Sequence, residues 1–365
     1  MDFSLSEERQ MLADMLGRFV REEYPIDTRH AAAQMDGGFD PEMWERFAEL
    51  GAIGALLPES AGGFGGAGED IMVVFEALGR GIVVEPFLAT AVLGAGALVG
   101  AGQDELIESV IGGATHLALA HTEPGSRYEL SRVETKADGG KLTGKKVVVL
   151  NGGTADKFIV SARASGGVDD QEGISLFLVD GRAPGVTIRS YATVEGGQAA
   201  EVVLDGAEGV ELPGGFSRLE AVMGVGVLAL CSEALGAMEV CKETTLDYLK
   251  TRKQFGFPLG FFQALQHRMV EMTIAIEQVR SIVILAAGQM EADRLTREKT
   301  LSACKNLTSR VARLVSEETI QMHGGIAMTW EYSAPHYAKR LTMIDHMLGD
   351  EDFHLMRFMA LSEAA

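Results

Sequence analysis

The chain has 365 residues, 47% of them hydrophobic and 23% charged, with nine prolines; that is length for two or three domains and enough apolar surface to offset the entropy of ordering. Lys plus Arg number 32 against 52 Asp plus Glu, a net charge of −20, which repels phosphate backbones and anionic lipid and excludes nucleic acid as a natural partner. The three cysteines form no C-x-x-C pair and the eight histidines no H-E-x-x-H, and there is no P-loop or G-x-S-x-G, so disulfide-framework, zinc, P-loop and serine-hydrolase chemistries are all demoted.

Ser4-Leu5-Ser6-Glu7 reads as a capping box ahead of an amphipathic helix with the stripe Met11, Leu12, Met15, Leu16, Phe19 and Val20. The start Met1-Asp2-Phe3-Ser4 is acidic where a secretory leader would be basic, which predicts a cytoplasmic protein. Helical patterning continues over residues 41–50 and 71–79, and the glycine cluster at 62–66 between them is a turn, since no strand precedes it. The most apolar long stretch, residues 81–102, carries Glu85 and Pro86 and is rich in glycine, so membrane insertion is not expected. Short β-branched runs follow at 116–121, 142–150, 157–162, 174–179, 186–190 and 200–204, predicting a small all-β domain. From about Arg218 helical period returns, with 238–249, 262–290 and 296–322 long enough for a bundle, and the three cysteines, Cys231, Cys241 and Cys304, read as core thiols.

Three segments could carry chemistry. Thr122-Glu123-Pro124-Gly125-Ser126 joins two strand-like runs and is either a plain turn or a place where hydroxyl and amide donors meet the edge of a flat heteroaromatic. Thr251-Arg252-Lys253-Gln254-Phe255-Gly256 lies where a helix ends, ahead of Pro258, Gly260 and Phe262-Gln263. A guanidinium and free amides at such a junction can hold a pyrophosphate; the ordinary alternative is a solvated or ion-paired Arg. Gln321-Met322-His323-Gly324-Gly325-Ile326 closes another helix, where the glycine pair either admits a ligand to the backbone or serves as a C-cap.

In this order, in a helical, β, helical chain, the three segments resemble the acyl-CoA dehydrogenase family over essentially the whole length. Ser126-Arg127-Tyr128 and residues 247–256 and 336–345 are similar, more narrowly, to the small-subunit branch typified by pimeloyl-CoA dehydrogenase small subunits. The resemblance implies an N-terminal α-helical domain (1–113), a middle small β-barrel or sandwich (114–213) and a C-terminal four-helix bundle (214–365). It implies FAD as cofactor, an acyl-CoA substrate oxidised to the trans-2-enoyl-CoA, and an electron-transfer flavoprotein as acceptor. Thr122 and Ser126 fall on the family's flavin-binding turn. Arg252, Gln254, Phe255 and Gln263 fall on the segment that reaches the FAD of a neighbouring protomer. Gln321, Gly324 and Gly325 match the contact to its adenosine and pyrophosphate side. A dimer at least is therefore expected, with a second copy or a larger homologous subunit.

By the same resemblance the catalytic carboxylate falls on Asp350, with Glu351 as the alternative; the competing reading of residues 349–352 is an acidic cap on the next helix. Some relatives use an acid early in the long helix, but residues 222–227 hold no acid and no Arg. Val148 and Leu150 stand where the family has an aromatic wall and a hydroxyl beside the flavin, and the turn before Ser126 is shortened. These departures imply a half-degenerate flavin face completed by a partner, with Arg127 the residue to recognise a dicarboxyl tail. A non-catalytic stabilising subunit and a flavin oxidase of the nitroalkane oxidase type are the alternatives.

Overall fold

A computed structural model describes residues 5–363. In chain order come α1 (Glu7–Glu23), α2 (Ile26–Gln34), α3 (Pro41–Glu49), α4 (Gly68–Gly81), a π-helical stretch (Phe87–Ala95) running into α5 (Gly96–Leu98), and α6 (Asp104–Ile111). Seven strands follow: β1 (Leu117–Ala120), β2 (Lys136–Asp138), β3 (Lys141–Leu150), β4 (Lys157–Arg163), β5 (Ile174–Asp180), β6 (Val186–Ala192) and β7 (Gln198–Leu212). The rest is α7 (Gly215–Thr251), a small hairpin of β8 (Lys253–Gln254) and β9 (Phe257–Pro258), α8 (Gln263–Gly288), α9 (Arg294–His323), α10 (Ala334–Asp345) and α11 (Glu351–Glu363).

These elements form two compact units: residues up to Arg29, Gly68–Val83 and from Val227 onward make the first, and His30–Ala67 with Val84–Gly226 the second. The expected boundaries at 113 and 213 both lie inside the second unit. The N-terminal helices are shared out by what their apolar faces pack on, α1 on α4 and α4 on α8 in the first unit.

In the second unit the strands close into a barrel. β4 pairs with β5, β5 with β7, β7 with β3, β3 with β2, and β2 returns to β4. β1 adds to β4 in parallel and β6 lies along β7. β7 runs 15 residues, long enough for its first part to serve β3 and β6 and its end β5. Phe158, Val160, Phe177, Val202 and Leu204 fill the interior. Sequence patterning missed β2, which is three residues long with both ends exposed and no buried residue. Trp44 is buried against Phe87, its Nε1–H donating to the Gly113 carbonyl at 3.2 Å. The glycines at 62–66 are a turn as expected: a Cβ at Gly63 or Gly65 would collide with the carbonyl oxygens of Leu57 and Ala55.

In the first unit Ser6 caps α1, its hydroxyl accepting from Arg9 N at 3.3 Å; Ser4 of the expected capping box lies outside the described residues. Of the expected stripe Leu16 and Val20 are buried while Met11 is 64% exposed. The crossing of α4 and α7 is close because two glycines face it: a Cβ at Gly79 or Gly236 would strike the carbonyl oxygens of Glu233 and Glu76. Arg280 spans the same region, 2.9 Å from Glu76 and 3.0 Å from Glu239. α7 is long and apolar enough to cross a membrane by composition, but 83% of its apolar window is buried in the fold, as in a core helix. Cys231, Cys241 and Cys304 are buried free thiols on α7 and α9.

Candidate functional site

In the second unit, the chain leaves β1 into the turn of Thr122 to Arg127. Glu123 N donates to Ser126 Oγ at 3.1 Å, and Ser126 Oγ donates back to the Glu123 carbonyl at 3.0 Å. The Ser126 hydroxyl, 4% exposed, is thus engaged in closing the turn. Gly125 has φ +83° and a Cβ there would meet nothing within 4 Å, so that side of the turn is open. The amides of Gly125 and Arg127 enter none of the turn's hydrogen bonds. Arg127 is exposed with φ +47°.

Facing the turn is a β-bulge, where the pairing of β3 with β7 slips between Lys146 and Val149. Val147 N donates to the Thr122 carbonyl at 2.8 Å, tying bulge to turn. Val148 on the bulge has φ +52° and is 53% exposed. A β-branched residue held in that region is strained by about 1–3 kcal/mol, a feature that collects at ligand sites. Leu150, half-buried, pairs with Ala199.

Beneath turn and bulge lies a buried polar cluster that sequence reading missed. Lys146 is fully buried; its Nζ donates to Glu123 Oε1 at 2.6 Å, Ser161 Oγ at 3.0 Å and the His121 carbonyl at 3.1 Å. Glu123 also accepts from the amides of Glu134 at 2.6 Å and Thr135 at 3.0 Å. Burial pulls the Lys146 ammonium down to about 8 against the pull of Glu123. Burial alone would raise Glu123, but Lys146 and the hydrogen bonds outweigh it and hold the carboxylate below its usual range. His121, its Nδ1 2.8 Å from Ser161 Oγ, is pushed by burial down to about 3 and is neutral. The available signal was a Lys on the strand face that otherwise carries core residues.

The same unit has a cleft of about 470 Å³ between the segment around Leu56, the face of Val92 and Val99, and the start of α7 at Val222 and Val225. Its one charged side chain, Arg218, donates from Nη1 to the carbonyls of Ala97 at 3.0 Å and Val99 at 2.5 Å. Glu220 on the same helix is 2% exposed, a buried acid just before the acid-free residues 222–227.

In the first unit, the other predicted residues gather at one end of the helices. Past α7, Phe255 (φ +54°) and Gly256 (φ +86°) form the two-residue turn of the β8–β9 hairpin, as two left-handed residues in succession do. Arg252 and Gln254 are exposed, and Phe255 is 84% exposed. Tyr248, one turn before Arg252, packs on His323 with ring centroids 4.6 Å apart, which brings the end of α7 to the end of α9. There Gln321 is exposed, and Gly324 (φ +66°) and Gly325 have nothing within 4 Å of a Cβ. Arg268 grips Glu318 at 2.5 and 2.9 Å, setting the start of α8, with Gln263 exposed at its first position, beside the same end of α9. Arg252, Gln254, Phe255, Gln263, Gln321 and the glycine pair therefore share one solvent-facing surface carrying a guanidinium, three amides and open backbone, chemistry that suits a pyrophosphate and its flanking groups. His323 is buried and its Nδ1 lies 2.8 Å from the Thr319 carbonyl oxygen, so it acts as a structural residue.

Asp350 is the N-cap of α11: its Oδ1 accepts from Phe353 N at 2.8 Å. Glu351 pairs with Arg313. The loop before them turns through Leu348 (φ +55°) and Gly349 (φ +110°). It is held by Lys305, fully buried, which donates to the carbonyls of Ile344 at 2.9 Å, Asp345 at 3.0 Å and Gly349 at 2.6 Å. Burial draws Lys305 down to about 8, with Cys231, Asp345 and Asp350 among the groups opposing it. His354 Nε2, 3.0 Å from the Leu348 carbonyl oxygen, braces the loop from the other side.

Comparison with known proteins gives a consistent assignment. Residues 6–115, 118–206 and 214–360 match the family profiles of the acyl-CoA dehydrogenase N-terminal, middle and C-terminal domains. The chain is 31% identical to acyl-CoA dehydrogenase IpdE2 of Mycobacterium tuberculosis over 337 residues, covering 92% of this chain and 91% of that one. It is 26% identical to the caffeyl-CoA reductase–Etf complex subunit CarC of Acetobacterium woodii, covering 90% of each. The ChsE4–ChsE5 complex of Mycobacterium tuberculosis has a chain that superposes over the full length of both with a TM-score of 0.90 at 25% identity.

Proposed function

Because the chain belongs to the acyl-CoA dehydrogenase family, FAD-dependent oxidoreductases acting on acyl-CoA thioesters, we propose that it is the smaller subunit of a heteromeric dehydrogenase for a dicarboxylyl-CoA or another bulky acyl-CoA. The observation that carries this reading is an imbalance between two surfaces. The end of the first unit exposes Arg252, Gln254, Gln321 and the Gly324-Gly325 backbone to solvent, while the turn-and-bulge edge presents Val148, with Leu150 half-buried beside it, and turns the Ser126 hydroxyl inward. An 84% exposed Phe255 on a two-residue turn gains most when a second chain covers it. The relative CarC, named as part of an Etf complex, and the ChsE4–ChsE5 pair support an electron-transferring flavoprotein as acceptor and a homologous partner.

The open turn at Gly125, with Thr122 and Val148, fits one edge of an FAD held by the second unit, and separately the exposed surface of Arg252, Gln254, Phe255, Gln263, Gln321, Gly324 and Gly325 in the first unit fits the FAD of a partner chain. Bound there, FAD would supply the two-electron acceptor for the β-hydrogen of the substrate. The chain's own residues then hold the substrate and take its α-proton. Asp350 Oδ2 is the proton acceptor, since Oδ1 is committed to the cap. The apolar cleft beside Val92 and Val222 has room for an acyl chain. Arg127, exposed and without an ion pair among the described residues, is free to meet a distal carboxylate.

The test is the FAD-to-chain ratio of the protein purified with excess FAD, alone and co-expressed with a larger homologue. Little flavin alone and recovery in the complex are expected. A ratio near one for the chain alone, with acyl-CoA oxidation, overturns the heteromeric reading.

A further inference from the structure

The Lys146–Glu123 pair joins two segments that are 23 residues apart in sequence. Glu123 sits inside the turn, and Lys146 is the last residue of β3 before its pairing with β7 slips. Three acceptors around one ammonium leave no rotational freedom, and two amides fix the carboxylate from behind. A buried ion pair is weak evidence for stability, because a well-packed apolar pair of similar volume is often as stable; what it adds is a single relative placement of the groups it joins. Here it joins the turn to the bulge, and the Val147 N to Thr122 O hydrogen bond spans the same gap.

We infer that Lys146 and Glu123 are positioning residues that set the spacing of the Thr122–Arg127 turn against the Val148 bulge, and through it the edge that meets the flavin. Neither touches the cofactor, since both side chains are sealed from solvent at 0% and 4% exposure. Ser161 is the third member: it accepts from Lys146 and lies against the neutral His121 ring, so the ammonium approaches from one direction only. The strain at Val148 gives the brace its purpose, because a β-branched residue at φ +52° relaxes unless its neighbours hold it. This inference rests on the reading that the turn and bulge form a flavin edge.

The test uses the full chain in its flavin-binding state, alone or in the complex. Lys146→Met with Glu123→Gln removes both charges and leaves no unpaired buried ion. The expected result is a folded protein with an unchanged circular dichroism spectrum, an FAD Kd raised tenfold or more, and amide exchange at Val147 and residues 122–126 of the cofactor-free chain accelerated at least tenfold. Ser161→Ala, a milder change that keeps the ion pair, should raise the FAD Kd about threefold with a folded chain and a modest fall in melting temperature, and stands if the double variant fails to fold. Wild-type FAD affinity and exchange in whichever of these variants folds overturns the inference. Absence of FAD from the wild type, alone and in complex, overturns the flavin-edge reading itself and the inference with it.

Discussion

Asp350 has two assignable roles, helix cap and proton acceptor, and they separate experimentally because Asn can fill one and not the other. The cap is a single hydrogen bond, Phe353 N to Asp350 Oδ1 at 2.8 Å, at the start of a 13-residue helix. Asn is as good an N-cap as Asp, so Asp350→Asn should lose only the charge–dipole contribution and the attraction of the carboxylate for Lys305, together under about 1 kcal/mol on a half-buried group. Asp350→Ala removes the cap and should cost about 1 kcal/mol. For turnover the two variants behave alike, because neither can take a proton, and a fall of at least 10²–10⁴ is expected. Urea denaturation of the chain and single-turnover flavin reduction by acyl-CoA in the assembled enzyme measure the two roles. Near wild-type flavin reduction in Asp350→Asn would remove Asp350 as the base and direct the next test to Glu220→Gln, a buried acid near the start of α7. A loss above 1 kcal/mol in Asp350→Asn would refute the capping argument.

Other predictions follow from the buried charges and exposed aromatics. His121 and His354 are both held at about 3 by burial, below the 6.5 of the unfolded chain. The unfolded state therefore takes up protons first on acidification, and stability that is intact above pH 6.5 falls steadily toward pH 3, by up to about 5 kcal/mol for each ring. Urea midpoints between pH 7 and 4 check this, and a flat profile would contradict it. Lys146 and Lys305, at about 8 against 10.5 unfolded, act in the same direction at the other end: stability should rise between pH 8 and 10 as each ammonium gives up its proton. Lys305→Met frees three carbonyls around the Gly349 turn and should raise amide exchange across residues 345–350 tenfold or more, with a modest change in melting temperature because the buried charge is removed as well. Phe255→Ser should shift the assembly toward free chains in sedimentation velocity without lowering the stability of the isolated chain, since the ring is 84% exposed there.

The helical, β, helical order was legible because each part keeps one period long enough to read: the Leu16 and Val20 stripe, the alternation in β3, and the long apolar runs of α7 to α9. Motif spacing also located the exposed end of the helices, since a Gly-Gly pair and a helix-ending Arg are local signals. The π-helical stretch at Phe87–Ala95 was not legible, because a segment buried on every side has no polar face to set its period. Lys146 and Lys305 escaped for the opposite reason: each is a charged residue at a core position, and apart from Ser309, one turn along from Lys305, its partners are backbone carbonyls and side chains 15 to 44 residues away, contacts that no local pattern records. Asp350 was placed as a base by resemblance and as a helix cap by its position, and the Phe353 N to Asp350 Oδ1 hydrogen bond shows the cap.

The division of the N-terminal helices between the two units has a consequence for how the chain comes off the ribosome. The second unit ends at Gly226, so its barrel can close while the rest of the chain is still being made. The first unit cannot: α1 meets α4 early, but α4 waits for α8 and for partners such as Arg280, 204 residues beyond Glu76, and Tyr337, whose hydroxyl reaches the Arg80 carbonyl across 257 residues. At a synthesis rate of about 5–20 residues per second, those apolar faces stay uncovered for on the order of ten seconds or more. A chain built this way is exposed to aggregation early and secured late, which makes translation rate and chaperone supply, rather than sequence optimisation of its surface, the first variables to adjust when producing it.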